Sequence, residues 1–157
     1  MAWVEPAEWY AKLAVFHSAA ALFITDVNGR VLLVKPNYRD HWSIPGGYVD
    51  HDENPKIAAE RELREELGLS VNAGDLLVVD WASPAGPRSR ALVNFIFDGG
   101  QLGAAHDVVL DLEELEGFGF HTPEQCKMLL PPRVAPRIDA ALMARRTRIT
   151  GYLADGA

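Results

Sequence analysis

The sequence predicts an α/β domain in which strands and helices pack as layers. Apolar and partly β-branched segments suited to buried strands recur through the chain, with turn signals between them. One helix-forming segment with a start and a stop signal lies among these strands, and another lies near the C-terminus. The chain has 157 residues, which suits one domain covering residues 1–157. Strands interspersed with a few helices are typical of a layered α/β domain.

The first elements in chain order are a short helix and a β-hairpin. Pro6–Leu13 predicts a short N-terminal helix, and the apolar segment Ala14–Thr25 predicts a buried strand. Asp26–Arg30 contains the Asn-Gly pair typical of hairpin turns, so Val31–Lys35 is expected to return as the second strand. After a loop, the stretch WSIPGGYV predicts a short strand that its proline and glycines interrupt.

Asn54–Leu67 is the most clearly predicted helix of the chain. Asn54 is a suitable N-cap, because its side chain can accept hydrogen bonds from the free N–H groups of the first turn. Pro55 suits the first helical position, where its missing N–H has no helical partner to lose. Gly68 is expected to end the helix, since glycine readily adopts the left-handed conformation of a C-terminal cap.

The second half of the chain predicts two strands and then an irregular region. Asp75–Ala82 and Ser89–Asp98 are predicted strands, and Ser83–Arg88 is the loop between them. Gly99–His106 is expected to break the strand pattern, because it contains three glycines. Asp107–Phe120 mixes strand character with an acidic stretch.

Two helices are predicted at the end of the chain. Thr122–Leu129 begins with a threonine and a proline, as a short helix does. Pro132–Thr147 is predicted as the C-terminal helix, and Arg145 and Arg146 lie near its end, where the helix dipole favours cations.

Charge and composition exclude several classes of protein. The formal net charge of −7 argues against a general nucleic-acid binder or a protein of anionic membrane surfaces. A nucleotide stays compatible, because a metal cation can carry a polyanion into an acidic site. Cys126 is the single cysteine, so an intrachain disulfide is excluded and a reducing compartment is favoured. No signal peptide or membrane span is predicted, and we expect a cytoplasmic protein.

The glutamates of the central helix share one face. Successive helical residues are rotated by about 100°, which puts Glu66 about 40° to one side of Glu62 and Glu65 about 60° to the other. Clustered carboxylates are the ligands of hard divalent cations such as Mg²⁺. The alternative interpretation is a solvated acidic surface with ion pairs such as Arg61–Glu65. Gly46 and the glycine after it favour the metal interpretation, because they permit a close backbone approach.

The segment from Gly47 to Leu69 resembles the Nudix box. That motif is Gly, five residues, Glu, seven residues, then Arg-Glu-apolar-any-Glu-Glu-any-Gly-apolar. Here Gly47 is followed after five residues by Glu53, and seven more residues lead to RELREELGL at 61–69. All nine constrained positions match. The preceding strand–hairpin–strand pattern also fits the layout of that family.

The resemblance implies a fold, a reaction and a cofactor. The fold would be a Nudix-type α/β/α sandwich with a mixed β-sheet. The reaction would be hydrolysis of a pyrophosphate bond in a nucleoside diphosphate linked to another group, such as ADP-ribose, another nucleotide sugar or a nucleoside triphosphate. Mg²⁺ or Mn²⁺ would be held by Glu62, Glu65 and Glu66, with the Gly46 carbonyl as a further ligand. Arg61 and Glu53 would pair and orient the helix.

The general base varies among members of the family, and two positions are candidates here. It is either a glutamate of the helix, in this chain Glu62, or an acid from a later loop. The family habit of a glutamate followed six residues later by an aromatic residue fits Glu114 and Phe120. Glu116 is the neighbouring option, and a surface turn residue is the alternative interpretation for both.

Candidate substrate-binding residues lie outside the motif. Aromatic side chains could stack on a base and arginine forks could bind phosphate, although each residue is also explained as a packed aromatic or a surface cation. The candidates are Tyr38, Arg39, Trp42, Arg88 and Arg90. The expected partner is a small nucleotide-derived substrate rather than a nucleic acid or a membrane, and a homodimer is left open. The alternatives are a catalytically silent Nudix module that senses a nucleotide and, against the acidic charge, an RNA-decapping enzyme.

Overall fold

The computed structural model describes residues 2–103 and 107–157. The helices in these residues are α1 (Pro6–Ala11), α2 (Pro55–Leu67), α3 (Pro123–Leu129) and α4 (Pro136–Thr147). The strands are β1 (His17–Asp26), β2 (Val31–Pro36), β3 (Gly46–Tyr48), β4 (Leu76–Ala82), β5 (Leu92–Leu102), β6 (Leu115–His121) and β7 (Gly151–Ala154). None of the described helices has the length and apolar character that crossing a bilayer requires.

One mixed sheet of seven strands forms the middle layer. Its order is β6-β2-β1-β5-β4-β7, and the short strand β3 pairs with β1 beside β2. β1 runs parallel to β5 and β4 runs parallel to β7, while the other pairs are antiparallel. Helix α2 packs on one face, and α3 and α4 pack on the other. The predicted α/β/α sandwich with a mixed sheet is therefore confirmed.

The strand β1 shows how two cores form on opposite faces of the sheet. Successive side chains of a strand point to opposite faces. Leu22 and Ile24 belong to the cluster that packs against α2, whereas Phe23 belongs to the cluster that packs against α4. All three side chains are fully buried, which explains why the strand reads as a continuous apolar run rather than an alternating one.

The predicted caps of α2 are present in the structure. The Asn54 side chain accepts hydrogen bonds from the backbone N–H groups of Lys56 and Ile57, at 3.0 and 3.3 Å. Gly68 ends the helix with φ of 65°, a conformation that glycine adopts without steric cost. Its N–H donates to the carbonyl of Arg64 at 3.0 Å. The helix is thus fixed at both ends by residues that the sequence identifies.

Strand β5 is longer than predicted. It continues through Gly99 to Leu102, and residues 101 and 102 pair with Thr25 and Asp26 of β1. The expectation of a loop from Gly99 was wrong because the glycine serves packing rather than a turn: a Cβ there would lie 2.4 Å from Cγ1 of Ile24. Residues 104–106 of that predicted loop lie outside the described residues.

The second half of the chain differs from the prediction in other ways too. Helix α4 begins at Pro136, since residues 131–135 form a turn in which Val134 N–H donates to the carbonyl of Pro131. Residues 107–114 are irregular, and the strand character of that region is confined to β6. Strand β7 was not predicted, because its four residues carry little signal of their own and are ordered by parallel pairing with β4.

Candidate active site

The edge strand β3 brings the glycine pair next to α2. Gly46 N–H donates to Oε2 of Glu66 at 3.1 Å, which joins the strand directly to the acidic face of the helix. Gly46 has φ of +155°, and a Cβ there would lie 2.2 Å from the carbonyl oxygen of Ala20. At Gly47 a Cβ would lie 2.4 Å from Cδ and Oε1 of Glu62. Gly46 therefore requires glycine, because the backbone of β1 approaches it too closely for any side chain. At Gly47 a side chain would force the Glu62 carboxylate to move.

Arg61 joins the acidic residues on this side of α2. Its guanidinium donates to both carboxylate oxygens of Glu53, at 2.6 and 3.1 Å. A third nitrogen donates to Glu62 at 2.9 Å and to Glu65 at 3.0 Å. Nη2, one of the two nitrogens that bind Glu53, also donates to the carbonyl of Tyr48 at 3.1 Å, which ties the helix to β3. The predicted contact between Arg61 and Glu53 is present, and these hydrogen bonds hold the pKa of Glu53 below its ordinary value.

The carboxylate of Glu66 lies in a strongly perturbed environment. Its residue is only 7% exposed. Burial, together with the negative charges of Glu62, Glu114 and Glu65, raises the pKa of Glu66 to about 8, although the Gly46 hydrogen bond lowers it. Burial also raises the pKa of Glu62, against the lowering effect of Arg61. Without a cation, the group of carboxylates is therefore a site where negative charge is unfavourable and a proton is retained.

The structure distinguishes the two acids proposed from the later loop. The charge of Glu114 contributes to the raised pKa of both Glu62 and Glu66, so Glu114 lies within electrostatic reach of the helix carboxylates. Its carbonyl accepts from the N–H of Asn37 at 2.9 Å, which anchors the loop to the end of β2. Glu116 instead pairs with Lys35 at 3.0 Å. Of the two, only Glu114 contributes to the raised pKa of Glu62 and Glu66.

A cavity of about 230 Å³ opens beside Gly46, Gly47 and Glu66. Its floor is made by the sheet face that carries Ala19 and Ala21 of β1. Small side chains leave space above a sheet, which explains why the cavity lies there. The other residues that matter for its chemistry are Tyr38, Arg39, Trp42, Asn94 and Arg137.

Three of the five predicted substrate-binding residues line this cavity. Trp42 packs edge-on against His121 with ring centroids 4.8 Å apart, so it is both a packed aromatic and a wall of the cavity. Tyr38 is 65% exposed, and the guanidinium of Arg39 lies 5.2 Å from its ring centre. These two residues form the mouth, where a planar group has access to both an aromatic face and a cation.

Arg88 and Arg90 are not among the residues that line this cavity, and their predicted role in substrate binding stays a prediction. The Arg88 guanidinium donates to three carbonyls of its own loop, those of Ala82, Ser83 and Arg90. The loop folds back on the side chain and uses its donors, so Arg88 stabilises the β4–β5 connection. Nothing in the sequence distinguishes such an arginine from one that binds phosphate.

The helix carboxylates do not form a ready-made metal cage. Within residues 2–103 and 107–157, no three His, Cys, Asp or Glu side chains stand together as metal ligands. The reason is that Glu62 and Glu65 are turned toward Arg61. The donor set nevertheless suits a hard divalent cation, since Glu66 is buried among like charges and retains a proton that a cation would displace.

The family model described as the NUDIX domain matches residues 15–144. The match covers most of the chain, including β1 to β6 and nearly all of α4. The chain belongs to the Nudix family. The segment from Gly47 to Leu69 is accordingly its Nudix box, and α2 is the helix of that box.

Relatives with several different names share parts of this Nudix sequence. The ADP-ribose pyrophosphatase of Methanocaldococcus jannaschii is 31% identical over 115 residues, which cover 66% of this chain and 68% of that protein. The RNA pyrophosphohydrolase of Psychrobacter cryohalolentis is 37% identical over 68 residues, 42% of this chain and 39% of that protein. Diphosphoinositol polyphosphate phosphohydrolase 2 of Rattus norvegicus is 41% identical over 61 residues, 38% of this chain and 34% of that protein. The chain thus spans little more than a third of the last two relatives.

Solved Nudix-fold structures match the whole arrangement of layers. The MutT protein of Methanosarcina mazei Go1 superposes with a TM-score of 0.72 at 21% identity, covering 85% of this chain and 98% of that one. The E. coli ORF135 protein superposes with a TM-score of 0.68 at 24% identity, covering 86% and 94%. At these identities the likeness shows the fold.

Asn94 and Arg137 are among the polar residues that line the cavity outside the Nudix box and were not predicted as site residues. Asn94 lies on β5 and Arg137 on α4. Each lies in a segment whose pattern predicts only a strand or a helix. Asp80, which binds Arg137, is a single acid within the apolar strand β4. A lone acid at such a position is a signal in the sequence that points to a buried partner.

Proposed function

We propose that this protein is a divalent-cation-dependent hydrolase that cleaves the pyrophosphate bond of a nucleoside diphosphate linked to another group. The observation that carries the proposal is the position of Glu66. It is buried between α2 and the glycine strand β3, it has a raised pKa, and it faces the cavity. A buried glutamate whose raised pKa favours the protonated form is a side chain that a divalent cation would deprotonate on binding.

The residues proposed to hold Mg²⁺, or alternatively Mn²⁺, are Glu62, Glu65 and Glu66, with the Gly46 carbonyl. To hold the cation, Glu62 and Glu65 would give up their hydrogen bonds with Arg61, and Glu66 would lose its proton. A bound cation would neutralise the phosphate charge and acidify a water molecule.

The chain's own residues supply orientation and proton transfer. Arg61 is held by both oxygens of Glu53, so it stays in place to position α2 against β3 when the helix glutamates turn to the cation. Glu114 is proposed to take a proton from the attacking water, with Glu62 as the second candidate. A carboxylate in such a position contributes about 10²- to 10⁴-fold to a rate.

The substrate is proposed to be a small nucleotide derivative. The named activities of the relatives concern ADP-ribose, RNA and a diphosphoinositol polyphosphate, and the relative with the longest match among these three is the ADP-ribose pyrophosphatase. ADP-ribose, another nucleotide sugar and a nucleoside triphosphate each contain the anhydride that the site addresses. The cytoplasmic location and the absence of a nucleic-acid or membrane partner stay predictions, as does the single domain over residues 1–157.

A substrate panel tests the proposal. Purified protein with Mg²⁺ is incubated with ADP-ribose, other nucleotide sugars and nucleoside triphosphates, and the products are separated by chromatography. Release of AMP and ribose phosphate identifies an ADP-ribose enzyme, whereas release of pyrophosphate and a monophosphate identifies a triphosphate enzyme. Turnover that persists without a divalent cation contradicts the proposal. Binding without turnover of any compound favours the alternative of a nucleotide-sensing module.

A further inference from the structure

The wall of the cavity opposite the glycine pair contains a buried ion pair. Arg137 of α4 donates from Nε to Oδ2 of Asp80 at 2.6 Å, and their side chains are 14% and 1% exposed. Asp80 lies on β4 and Arg137 lines the cavity. A buried charge that loses its partner costs several kcal/mol, so this pair keeps the guanidinium in one place.

The outer edge of the Arg137 guanidinium is free to bind a ligand. Within the described part of the chain, its only hydrogen bond is the one from Nε to Asp80. Its two terminal nitrogens therefore have donors available on the side away from the anchor, and neither is fully enclosed by protein. A planar edge with two adjacent donors and no acceptor selects a ligand with two adjacent acceptors.

The charge of the pair indicates what kind of acceptor this is. Asp80 neutralises Arg137, so the subsite has no net charge. The neighbouring side chain, Asn94, is uncharged and is held by a 3.4 Å hydrogen bond from its amide nitrogen to the Asp80 carbonyl. A phosphate would be expected at an uncompensated cation. An uncharged group with adjacent hydrogen-bond acceptors, such as the oxo edge of a nucleobase, matches the subsite better.

The sheet places this subsite at a suitable distance from the anhydride. β3, β1, β5 and β4 are successive neighbours, so β4 is three strand spacings, about 14 Å, from β3. In the register of these strands Asp80 is level with Tyr48, two residues along β3 from Gly46. That separation is comparable with an extended nucleoside diphosphate from its terminal phosphate to its base. The apolar floor of Ala19 and Ala21 on β1 lies between the two ends.

We propose that Arg137, anchored by Asp80, recognises the oxo edge of the substrate's base and makes the site prefer guanine to adenine. Guanine presents the adjacent acceptors O6 and N7, whereas adenine presents a donor at N6 beside N7. The two terminal nitrogens of Arg137 match the first pattern and meet the adenine amino group donor to donor. This inference rests on the proposed function, because it assigns the base end of the same substrate site.

The test compares the binding of GMP and AMP, which contain no anhydride and are not cleaved. Calorimetric titrations are made with the full chain in the presence of Mg²⁺. A correct bidentate contact discriminates between bases by roughly tenfold or more, so the wild type is expected to bind GMP at least about tenfold more tightly than AMP. Arg137→Lys keeps a cation beside Asp80 but loses the two-donor edge. It is expected to reduce the GMP preference to about twofold or less and to leave AMP binding nearly unchanged.

Two controls separate recognition from folding. Arg146→Lys makes the same change at an exposed position of α4 that does not line the cavity, and should keep the wild-type preference. The double variant Asp80→Asn with Arg137→Gln removes both charges together and should also lose the preference for GMP. It replaces Arg137→Lys in the test if that variant is poorly folded. Thermal unfolding monitored by circular dichroism shows which variants are folded.

Several outcomes overturn the inference. These are equal binding of GMP and AMP by the wild type, tighter binding of AMP, binding of neither, or an unchanged preference in folded Arg137→Lys. Equal binding together with competition by inorganic phosphate that Arg137→Lys abolishes would identify an anion subsite instead. Failure of the proposed function is seen separately, as absence of turnover across the substrate panel. Hydrolysis of nucleotide anhydrides without discrimination between bases contradicts this inference alone.

Discussion

At the scale of single residues, the acidic helix is organised by one arginine. Arg61 donates to Glu53, Glu62 and Glu65, and the hydrogen bonds to Glu53 raise its own pKa further above that of free arginine. This explains how α2 tolerates carboxylates that would otherwise repel one another. Glu66 is not one of the carboxylates that bind Arg61, and its raised pKa makes it the carboxylate of this group that favours a proton or a cation as its partner.

Removing the charge of one glutamate of α2 at a time should strongly reduce catalysis. Glu65→Gln and Glu66→Gln each keep the shape of the side chain but remove a proposed ligand. We expect turnover with Mg²⁺ to fall by at least about 100-fold, since a bound cation lowers the activation barrier by several kcal/mol. Steady-state assays measure the effect, and Glu124→Gln on the exposed face of α3 is the matched control. Near-normal activity in both variants would refute the metal assignment.

The role of Glu114 can be separated from that of its neighbour. Glu114→Gln should lower turnover by at least about tenfold if this carboxylate accepts the proton of water or holds the cation. Glu116→Gln removes a carboxylate two residues away that pairs with Lys35, and should leave the rate nearly unchanged. The two rates are compared at saturating substrate. An unchanged rate in Glu114→Gln would assign the base to Glu62, whereas a loss confined to Glu116→Gln would assign it to Glu116.

At the scale of elements, the site depends on how closely β3 approaches α2. The N–H of Gly46 reaches Glu66, and Gly47 leaves no room for a Cβ beside Glu62. Arg61 spans the same junction through the carbonyl of Tyr48. A strand of three residues is thereby held to a capped helix by contacts that also set the positions of two carboxylates.

A methyl group at this junction should disturb the carboxylates more than the fold. Gly47→Ala places a Cβ within van der Waals overlap of Glu62, whose side chain must then move. We expect turnover to fall by at least about tenfold, because small misplacements of catalytic groups cost that much or more. Gly117→Ala on β6, where nothing lies within 4 Å of the new Cβ, is the control. Wild-type kinetics in Gly47→Ala would show that the position of Glu62 is unimportant.

At the scale of the whole molecule, two ion pairs attach α4 to the sheet. Arg145 binds both oxygens of Asp98, at 2.7 and 3.2 Å, and donates to the hydroxyl of Thr25. It therefore fastens the end of α4 to the parallel pair β1 and β5. Arg137 and Asp80 do the same at the start of the helix, where the side of the cavity is formed. The helix is thus both the second outer layer and a wall of the site.

The free energy of unfolding of the whole protein should depend on pH through the ionisation of Glu66. Its pKa rises from 4.5 to about 8 on folding, so between these values the folded protein binds more protons than the unfolded chain. Stability is then greatest below the unfolded value and is lost as pH rises through the folded one. Between pH 6.5 and 8, metal-free protein should lose about 1 kcal/mol of unfolding free energy per pH unit. Urea unfolding at each pH measures it.

Other groups act in different ranges of pH. Burial lowers the pKa of His121 below 6.5, so its contribution has the opposite sign and is confined to lower pH. The lowered pKa of Glu53 acts in the acid range below its ordinary value of 4.5. Glu66→Gln should remove most of the slope above pH 6.5, and Mg²⁺ should reduce it by displacing the proton. Stability that rises with pH in metal-free wild type would contradict the assignment.

The elements that the sequence predicted well are those stabilised by neighbouring residues. The Asn-Gly turn, the caps of α2 at Asn54 and Gly68, and the stripe of glutamates all depend on residues a few positions apart. The Nudix box belongs to this class, and for that reason its helix could be placed before the fold was known. The central contact between Glu53 and Arg61 spans eight residues and was also expected from the motif.

The tertiary structure decided everything that depends on residues far apart in the chain. The extension of β5 through Gly99 and the pairing of β7 arise from neighbouring strands. Arg137 and Asp80 are separated by 57 positions, so their contact follows from the order of the strands and the packing of α4. The sequence alone thus determined the family, because its motif is local, and the chemical group proposed for the site was inferred from that same motif. The shape and polarity of the cavity were decided only by the fold, because strands and a helix distant in sequence build it together.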